Sequence, residues 1–345
     1  MPLLRRVVRV LLLGTLPWLM ATGLPAHAAD GDTLAQARAR GTLRCGVSEG
    51  IAGFSAKDAS GRWSGIDVDF CRAVAAAALG QADKVTFVPL KASGRFPALR
   101  TGVVDLLSRN TTWTLAREST LRVQFAGILY YDGQAFMVSR QNGIRSIAGL
   151  DHATVCVEKG TSSEDHLATY SAANRLSVKP LVVDSATEVA DAFFSGRCSA
   201  YTADASQLAA ARVRVRDGSQ AYVILPERIS KEPLGPVVRN DDQRWLTLVR
   251  WVLFSLIAAE EAGITQASAS ERMRDPAVAS AFEAGADASQ ALGVEPGWAA
   301  RAVQSVGNYG ELFDRNLGAK SPLGLERGLN RLWTQGGLMY APPVR

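Results

Sequence analysis

The same order of elements occurs twice along the chain, and that duplication restricts the fold more than any other feature. Thr42-Leu43-Arg44-Cys45-Gly46-Val47 is a short β-rich run with Leu43, Cys45 and Val47 on one face, and it enters a glycine-bearing loop, Ser48-Glu49-Gly50. Ala153-Thr154-Val155-Cys156-Val157 repeats the run, and Gly160-Thr161-Ser162-Ser163 repeats the loop. The first run is followed by a strand from Val85 to Leu90, a helix ending near Gly102 and a strand from Val103 to Leu107. The second is followed by a strand from Pro180 to Asp184, a helix opened by Ser185-Ala186-Thr187-Glu188 and stopped at Gly196, and a strand from Ser199 to Thr202. Strands alternating with helices imply two α/β lobes with mostly parallel sheets, whose ligands bind at the carboxyl ends of the strands. The polar loops lie at those ends in both halves. Tyr131-Asp132-Gly133 and Pro233-Leu234-Gly235-Pro236 are the punctuated stretches best suited to pass between the lobes, and two crossings make a hinge.

The first 28 residues read as a leader. Arg5, Arg6 and Arg9 form a positive start, Val10 to Met20 is apolar but short for a bilayer, and Ala26-His27-Ala28 is a small-x-small cleavage site. The formal charge of +5 includes those three arginines, so residues from 29 onward carry only +2, which removes the main support for nucleic-acid binding. Only His152 and His166 remain beyond the leader, too few for a multi-histidine metal centre, and neither a metal nor a cofactor is expected. The 47% hydrophobic and 21% charged content suits packed cores. Trp245 to Ala262 is apolar, but Arg250 and the Glu260-Glu261 pair interrupt it, so it reads as a buried helix. A further helix begins at Asp67, with acids in its first turn and Ile66, Phe70, Val74 and Ala77 on one face.

Four cysteines, Cys45, Cys71, Cys156 and Cys198, in an exported chain are expected to pair, and three connectivities are possible. Joining Cys45 to Cys71 and Cys156 to Cys198 leaves the two halves free to move relative to each other. The alternatives tie one half to the other.

The strings GIDVDFCRAVAAA, VVDLLSRNTTWTLARESTL, FAGILYYDGQAFMV, TVCVEKGTSSED, ISKEPLGPVVR and WTQGGLMYAPPVR resemble the periplasmic general L-amino-acid-binding proteins of polar amino acid ABC importers. The resemblance covers essentially all of the chain after the leader. It implies a type II, two-lobed periplasmic-binding-protein-like α/β fold with two hinge crossings, divided as 1–28 signal peptide, 29–132 lobe I, 133–234 lobe II, and 235–345 returning to lobe I with a C-terminal helical extension. It implies a periplasmic, monomeric receptor that captures free L-amino acids by closing, then delivers them to the membrane permease of an ABC importer. No enzymatic activity is expected. Two other readings use the same fold: an enzyme such as a cyclohexadienyl dehydratase, for which Glu49 and Asp204 are the obvious acids, and a receptor that reports occupancy to a chemoreceptor.

A free amino acid presents a carboxylate and an ammonium on one carbon, so a site for it needs a cationic clamp, oriented N–H groups and an acid. Arg117, twelve residues after Asp105, takes the clamp role in the family pattern, and Arg109 is its rival. Asn110, Thr112 and Thr114 supply small hydrogen-bonding groups beside it. Thr161 and Glu164 are spaced as a capping box, and the N–H groups at Thr161 and Ser162 would form an anion site at a helix start. Asp204 matches the family's ammonium acceptor, although a lone strand-end aspartate more often serves a turn. Side-chain choice falls to the loop from Ser48 to Phe54, with Ser48, Glu49, Ile51 and Phe54, and to the aromatic set Trp113, Tyr130 and Tyr131. Ile51 stands where narrow-specificity relatives carry an aromatic, which suggests a roomier pocket.

Overall fold

The computed structural model describes residues 32–345 except 217 and 284, so the expected leader lies outside the described residues. From α1 (Thr33–Arg40) the chain enters β1 (Leu43–Val47) and a small hairpin of β2 (Ala56–Lys57) and β3 (Trp63–Ser64). It continues through α2 (Ile66–Leu79), β4 (Val85–Pro89), α3 (Arg95–Arg100), β5 (Leu106–Leu107), α4 (Leu115–Leu121) and β6 (Val123–Phe125), and β7 (Tyr130–Asp132) leads out of this first lobe. The second lobe holds β8 (Gln134–Ser139), β9 (Thr154–Glu158), α5 (Ser162–Ala173), β10 (Lys179–Val183), α6 (Ala186–Phe194), β11 (Ala200–Asp204), α7 (Ala205–Val213), α8 (Gly218–Ala221) and β12 (Tyr222–Ile224). β13 (Glu232–Leu234) returns to the first lobe, where β14 (Val237–Arg239) precedes α9 (Gln243–Glu261), α10 (Gln266–Arg272), α11 (Pro276–Ala279), α12 (Ala286–Leu292), α13 (Trp298–Val306) and α14 (Tyr309–Asn316).

The two sheets have the orders β4-β1-β5-β14-β6 and β10-β9-β11-β8-β12, which is one topology used twice. In each, three strands pair parallel and a fourth pairs antiparallel to both its neighbours. That opposing strand is β8 in one sheet and β14 in the other, the first strand after each crossing. A chain that enters a sheet from the cleft must run away from the carboxyl ends of the parallel strands, so it opposes them. β7 and β13, the crossings, pair antiparallel to each other as a two-stranded ribbon. The structure therefore has the expected type II, two-lobed α/β architecture. At the second crossing Gly235 allows the closest approach: a Cβ there would lie 2.0 Å from the Gly127 carbonyl oxygen.

Disulfides join Cys45 of β1 to Cys71 of α2, and Cys156 of β9 to Cys198 just before β11. Each staples one sheet to its own flank, so neither restrains one lobe against the other. Helix α2 buries Ile66, Phe70, Val74 and Ala77 as expected, and also Val68, Cys71 and Ala75, because α13 packs on its remaining side. Helix α9 buries Trp245, Leu248, Val249 and Leu256 in the same core, and no described helix is long and apolar enough to cross a membrane. The C-terminal helices extend that core with Trp298, Tyr309 and Phe313. They also brace the first crossing: Tyr309 Oη donates to the Leu129 carbonyl at 2.9 Å, and the Asn330 side chain accepts from Tyr131 N (2.7 Å) and donates to Tyr131 O (3.1 Å).

Candidate functional site

The carboxyl ends of both sets of parallel strands face each other across one narrow cavity, tightly closed on itself with room for about 20 Å³. Arg95, Arg109, Asn110 and Thr112 line it from the first lobe, and Glu158, Thr161, Ser162, Ser163, Asp204 and Gln207 line it from the second. The lobes are closed on each other. Arg109 Nη2 donates to Glu158 Oε1 at 3.3 Å, with both side chains only 3% exposed, while Arg109 Nε donates to the Leu90 carbonyl. Asn110 Nδ2 donates to Gln207 Oε1 at 3.3 Å, and the hydroxyls of Thr112 and Ser162 lie 3.0 Å apart. Gly160 sits so near the other lobe that a Cβ would lie 3.0 Å from Ser93 Cα; with φ +73°, it is a position that favours glycine twice over.

The local chain explains how these groups are presented. Asp67, buried at the start of α2, accepts from Ser108 Oγ at 2.7 Å and from Asn110 N at 3.0 Å, which holds Asn110 in a left-handed conformation (φ 33°). Burial pushes Asp67 up to about 6 despite those two donors. Thr161 caps α5 by accepting from Glu164 N, and its own hydroxyl donates to the Glu158 carbonyl. Glu164 reaches back to Gly160 N rather than to Thr161 N, so the expected capping box closes one residue early. Asp204 ends β11 and begins α7 without capping it, which leaves its carboxylate free to face the cavity.

Three buried acids meet where the lobes join the ribbon. Glu232 of β13 accepts from Thr112 Oγ1 (2.6 Å) and Ser162 Oγ (2.9 Å), one from each lobe, and is bonded to His166 Nδ1 (2.9 Å) and Ser230 Oγ. Asp132 accepts from Gly133 N and from Ser206 N and Oγ, and burial raises it to about 6. Asp204 is pushed well above the usual carboxylate range, first by burial and then by the nearby charges of Asp132 and Glu232, against the pull of Asn110 and Arg117. Among the described residues it has no cationic partner within 4 Å.

The arginines differ in how they are matched. Arg117 donates through Nη1 to the Thr112 carbonyl at 2.7 Å and lies over the Phe96 ring at 5.5 Å, behind Thr112 rather than on the cavity wall. Burial lowers its pKa, while Glu232, Asp204 and Asp165 support its charge. Arg95, at the start of α3, is 2% exposed, lies over Phe96 at 4.9 Å and lines the cavity. Burial, reinforced by Arg117 and Arg109, pulls its pKa well down.

Of the expected site residues, the structure gathers Asn110, Thr112, Thr161, Ser162 and Asp204 on the cavity wall. Ile51 is buried against a smaller crevice between the lobes, beside Ala186, Tyr201 and Gln207. Ser48 is instead tied up with Ser55 Oγ at 2.5 Å, and Glu49 is exposed, away from the cavity. Phe54 and Tyr130 pack edge to face in the first-lobe core, with Tyr130 also stacked on Phe313, because the C-terminal helices cover that side. Thr114 caps α4 by accepting from Arg117 N. Trp113 stacks on Phe125, and Tyr131 lies in the ribbon. Arg95, Glu158, Gln207 and Glu232 were not anticipated. Glu158 ends β9 and Arg95 opens α3 a short loop after β4, so the strand-end rule brings both near the cleft without telling whether either is buried there. Among the described residues there is no group of three or more His, Cys, Asp or Glu side chains that could hold a metal ion.

The sequence model for bacterial extracellular solute-binding proteins, family 3, matches residues 43–267. The chain is 46% identical to the General L-amino acid-binding periplasmic protein AapJ of Rhizobium johnstonii, over 93% of this chain and 95% of that protein. It is also 46% identical to the Glutamate/glutamine/aspartate/asparagine-binding protein BztA of Rhodobacter capsulatus, over 93% of this chain and 96% of that one. Among solved structures, an ABC transporter periplasmic binding protein from Brucella ovis with glutathione bound superposes with a TM-score of 0.87 at 46% identity, covering 91% of this chain and 100% of that one. By the family match and by these relatives, the chain belongs to the bacterial extracellular solute-binding proteins, family 3.

Proposed function

We propose that the chain is a receptor that captures free L-amino acids by lobe closure and passes them to the permease of an ABC importer. One observation carries the reading: a buried carboxylate, Asp204, and a buried guanidinium, Arg95, face the same cavity with no partner of opposite charge within 4 Å among the described residues. Buried charges left unpaired are costly, so such a cavity favours an occupant that carries both signs. The amino acid's ammonium goes to Asp204. Its α-carboxylate goes to the N–H groups at the start of α5, with Thr112 and Asn110 alongside and Arg117, held on the Thr112 carbonyl, beside them. The AapJ and BztA names support amino acids as the ligand class. Glutathione belongs on the same panel, because its γ-glutamyl end carries an α-ammonium and an α-carboxylate and the Brucella ovis relative was solved with it.

The receptor acts in the periplasm, as a monomer and without catalysis. Against the dehydratase reading stands the exposure of Glu49, which leaves Asp204 as the one acid of the expected pair in the cavity. A thermal-shift panel of the common L-amino acids against unfolded and refolded protein tests the proposal. Several amino acids are expected to raise the melting temperature. A panel in which none does would remove the amino-acid reading, and turnover of a cyclic aromatic-acid precursor would restore the enzyme.

A further inference from the structure

Glu232 is bonded to both lobes and stands off the cavity wall. Its side chain is fully buried on β13, the second crossing. Oε2 accepts from Thr112 Oγ1 at 2.6 Å and from Ser162 Oγ at 2.9 Å, while Oε1 is bonded to His166 Nδ1 at 2.9 Å and accepts from Ser230 Oγ. Thr112 is tied to the ribbon through the backbone around it: it bridges to Leu234, Trp113 N donates to the Pro233 carbonyl at 2.8 Å, and Gly235 N donates to the Thr111 carbonyl at 2.9 Å. Thr112 and Glu232 therefore form one piece. Ser162 and His166 belong to another, one turn apart on α5, and the Ser162 hydroxyl meets that of Thr112 at 3.0 Å across the lobe boundary. A single carboxylate oxygen thus holds one donor from each lobe.

We propose that Glu232 is a positioning residue for closure: its carboxylate docks the first turn of α5 onto the hinge ribbon and sets one closed–open equilibrium that every ligand shares. The inference rests on the amino-acid reading of the cleft and deepens it, by naming a residue off the cavity wall that governs affinity without regard to the ligand's side chain. His166 and Ser230 hold Oε1 and so fix the rotation of the carboxylate, which leaves Oε2 for the two lobes. When the lobes part, Ser162 and His166 leave with α5 while Thr112 stays on the ribbon, so Oε2 keeps one donor instead of two. Apparent affinity scales with the population of the binding-competent form, whatever the ligand. Bonds made only after the ligand has entered slow its release and leave its arrival rate unchanged.

Thr112 and Ser162 line the cavity themselves, so the test uses the two partners that do not. Titration calorimetry and stopped-flow fluorescence with refolded, ligand-free protein compare L-glutamate and L-alanine on the wild type, Glu232→Gln, His166→Asn and His166→Ala. Glu232→Gln keeps the shape but sets an NH₂ group against donors on one side; it should weaken both ligands by about tenfold, and by the same factor within about twofold. The loss should appear as faster dissociation, with the association rate changed by less than about threefold. His166→Asn, whose Nδ2 can donate from the place of Nδ1, should keep most of the wild-type affinity, and His166→Ala should not. Unchanged affinity in Glu232→Gln would overturn the proposal. So would a loss confined to one ligand, which would assign Glu232 to the side-chain pocket, or a loss carried by slower association; each leaves the amino-acid reading standing. Should Glu232→Gln fail to fold, the histidine pair decides: His166→Ala binding both ligands as tightly as His166→Asn would overturn the proposal. If the wild type bound neither ligand nor any other amino acid, the amino-acid reading itself would fall with the inference.

Discussion

The two walls of the cleft carry opposite charge. Lobe I brings three arginines to it, Arg95 and Arg109 on the wall and Arg117 behind Thr112, while lobe II brings Glu158 and Asp204. Among the described residues only one pair, Arg109 with Glu158, is matched across the gap. Each lobe presents charges of one sign, which are stable when solvated and costly when buried unpaired. In the proposed reading, closure over a zwitterion supplies the missing partners, so the contacts that bind the ligand would also hold the lobes together. The disulfides fit this division, since each is confined to one lobe.

The largest effect is expected on the acidic wall. Asp204→Asn should weaken every amino acid, whatever its side chain, by about 2 to 5 kcal/mol in a calorimetric titration, because the ammonium is common to all of them. Unchanged affinity would show that the ammonium goes elsewhere. The cross-lobe pair comes next. Glu158→Gln leaves Arg109 with only the Leu90 carbonyl, so all ligands should bind on the order of tenfold more weakly. The double variant Arg109→Met, Glu158→Gln should recover most of that loss, since removing both partners leaves no buried charge unpaired. A double variant as weak as the sum of the singles would mean that the two residues act separately.

A pH effect follows from Asp204. Its pKa is raised in the closed cleft, and an ammonium needs it ionised, so binding expels a proton on the acidic side of that raised value. Affinity should therefore rise with pH there, approaching tenfold per unit, and calorimetry in buffers of different ionisation heat should detect the proton released. Asp204→Asn should abolish both signals, and a wild-type protein without them would contradict the assignment. For fold stability the sign is opposite. Asp132, at about 6 in the folded chain against an ordinary 3.8, retains a proton that the unfolded chain has shed, so its contribution to stability is complete below about 3.8 and is lost as pH rises through about 6. The smallest effect is expected at Glu49, which is exposed and off the cavity wall. Glu49→Gln should change affinity for any ligand, basic ones included, by less than about twofold.

Much of the architecture was legible because its signals are local. The repeated strand-loop pattern marked both sheets, and the glycine- and proline-bearing crossings at Tyr131 and Pro233 became the ribbon between them. Thr161 and Ser162 were legible as a helix start, whereas Asn110, Thr112 and Asp204 were legible through the family pattern rather than through their strand-end positions, which alone more often mark turns. Phe54 and Tyr130 were not. Whether an aromatic in a cleft loop faces ligand or core depends on what covers its other side, and here that is Phe313 from more than 180 residues away. Arg95 and Glu158 were missed for a related reason. A charged residue after a strand looks the same in sequence whether it is solvated or buried, and only lobe closure makes the difference.

The central claim is that the cleft recognises the paired charges on the α-carbon, and it is tested most directly by titrating the wild type with one bound L-amino acid, its decarboxylated amine and its deaminated keto acid. Each analogue leaves a charge in the closed cleft without its partner, a mismatch far costlier than a change of side-chain length. The parent amino acid should bind, and the amine and the keto acid should each bind at least about 100-fold more weakly. Either analogue binding as tightly as the parent would contradict the account.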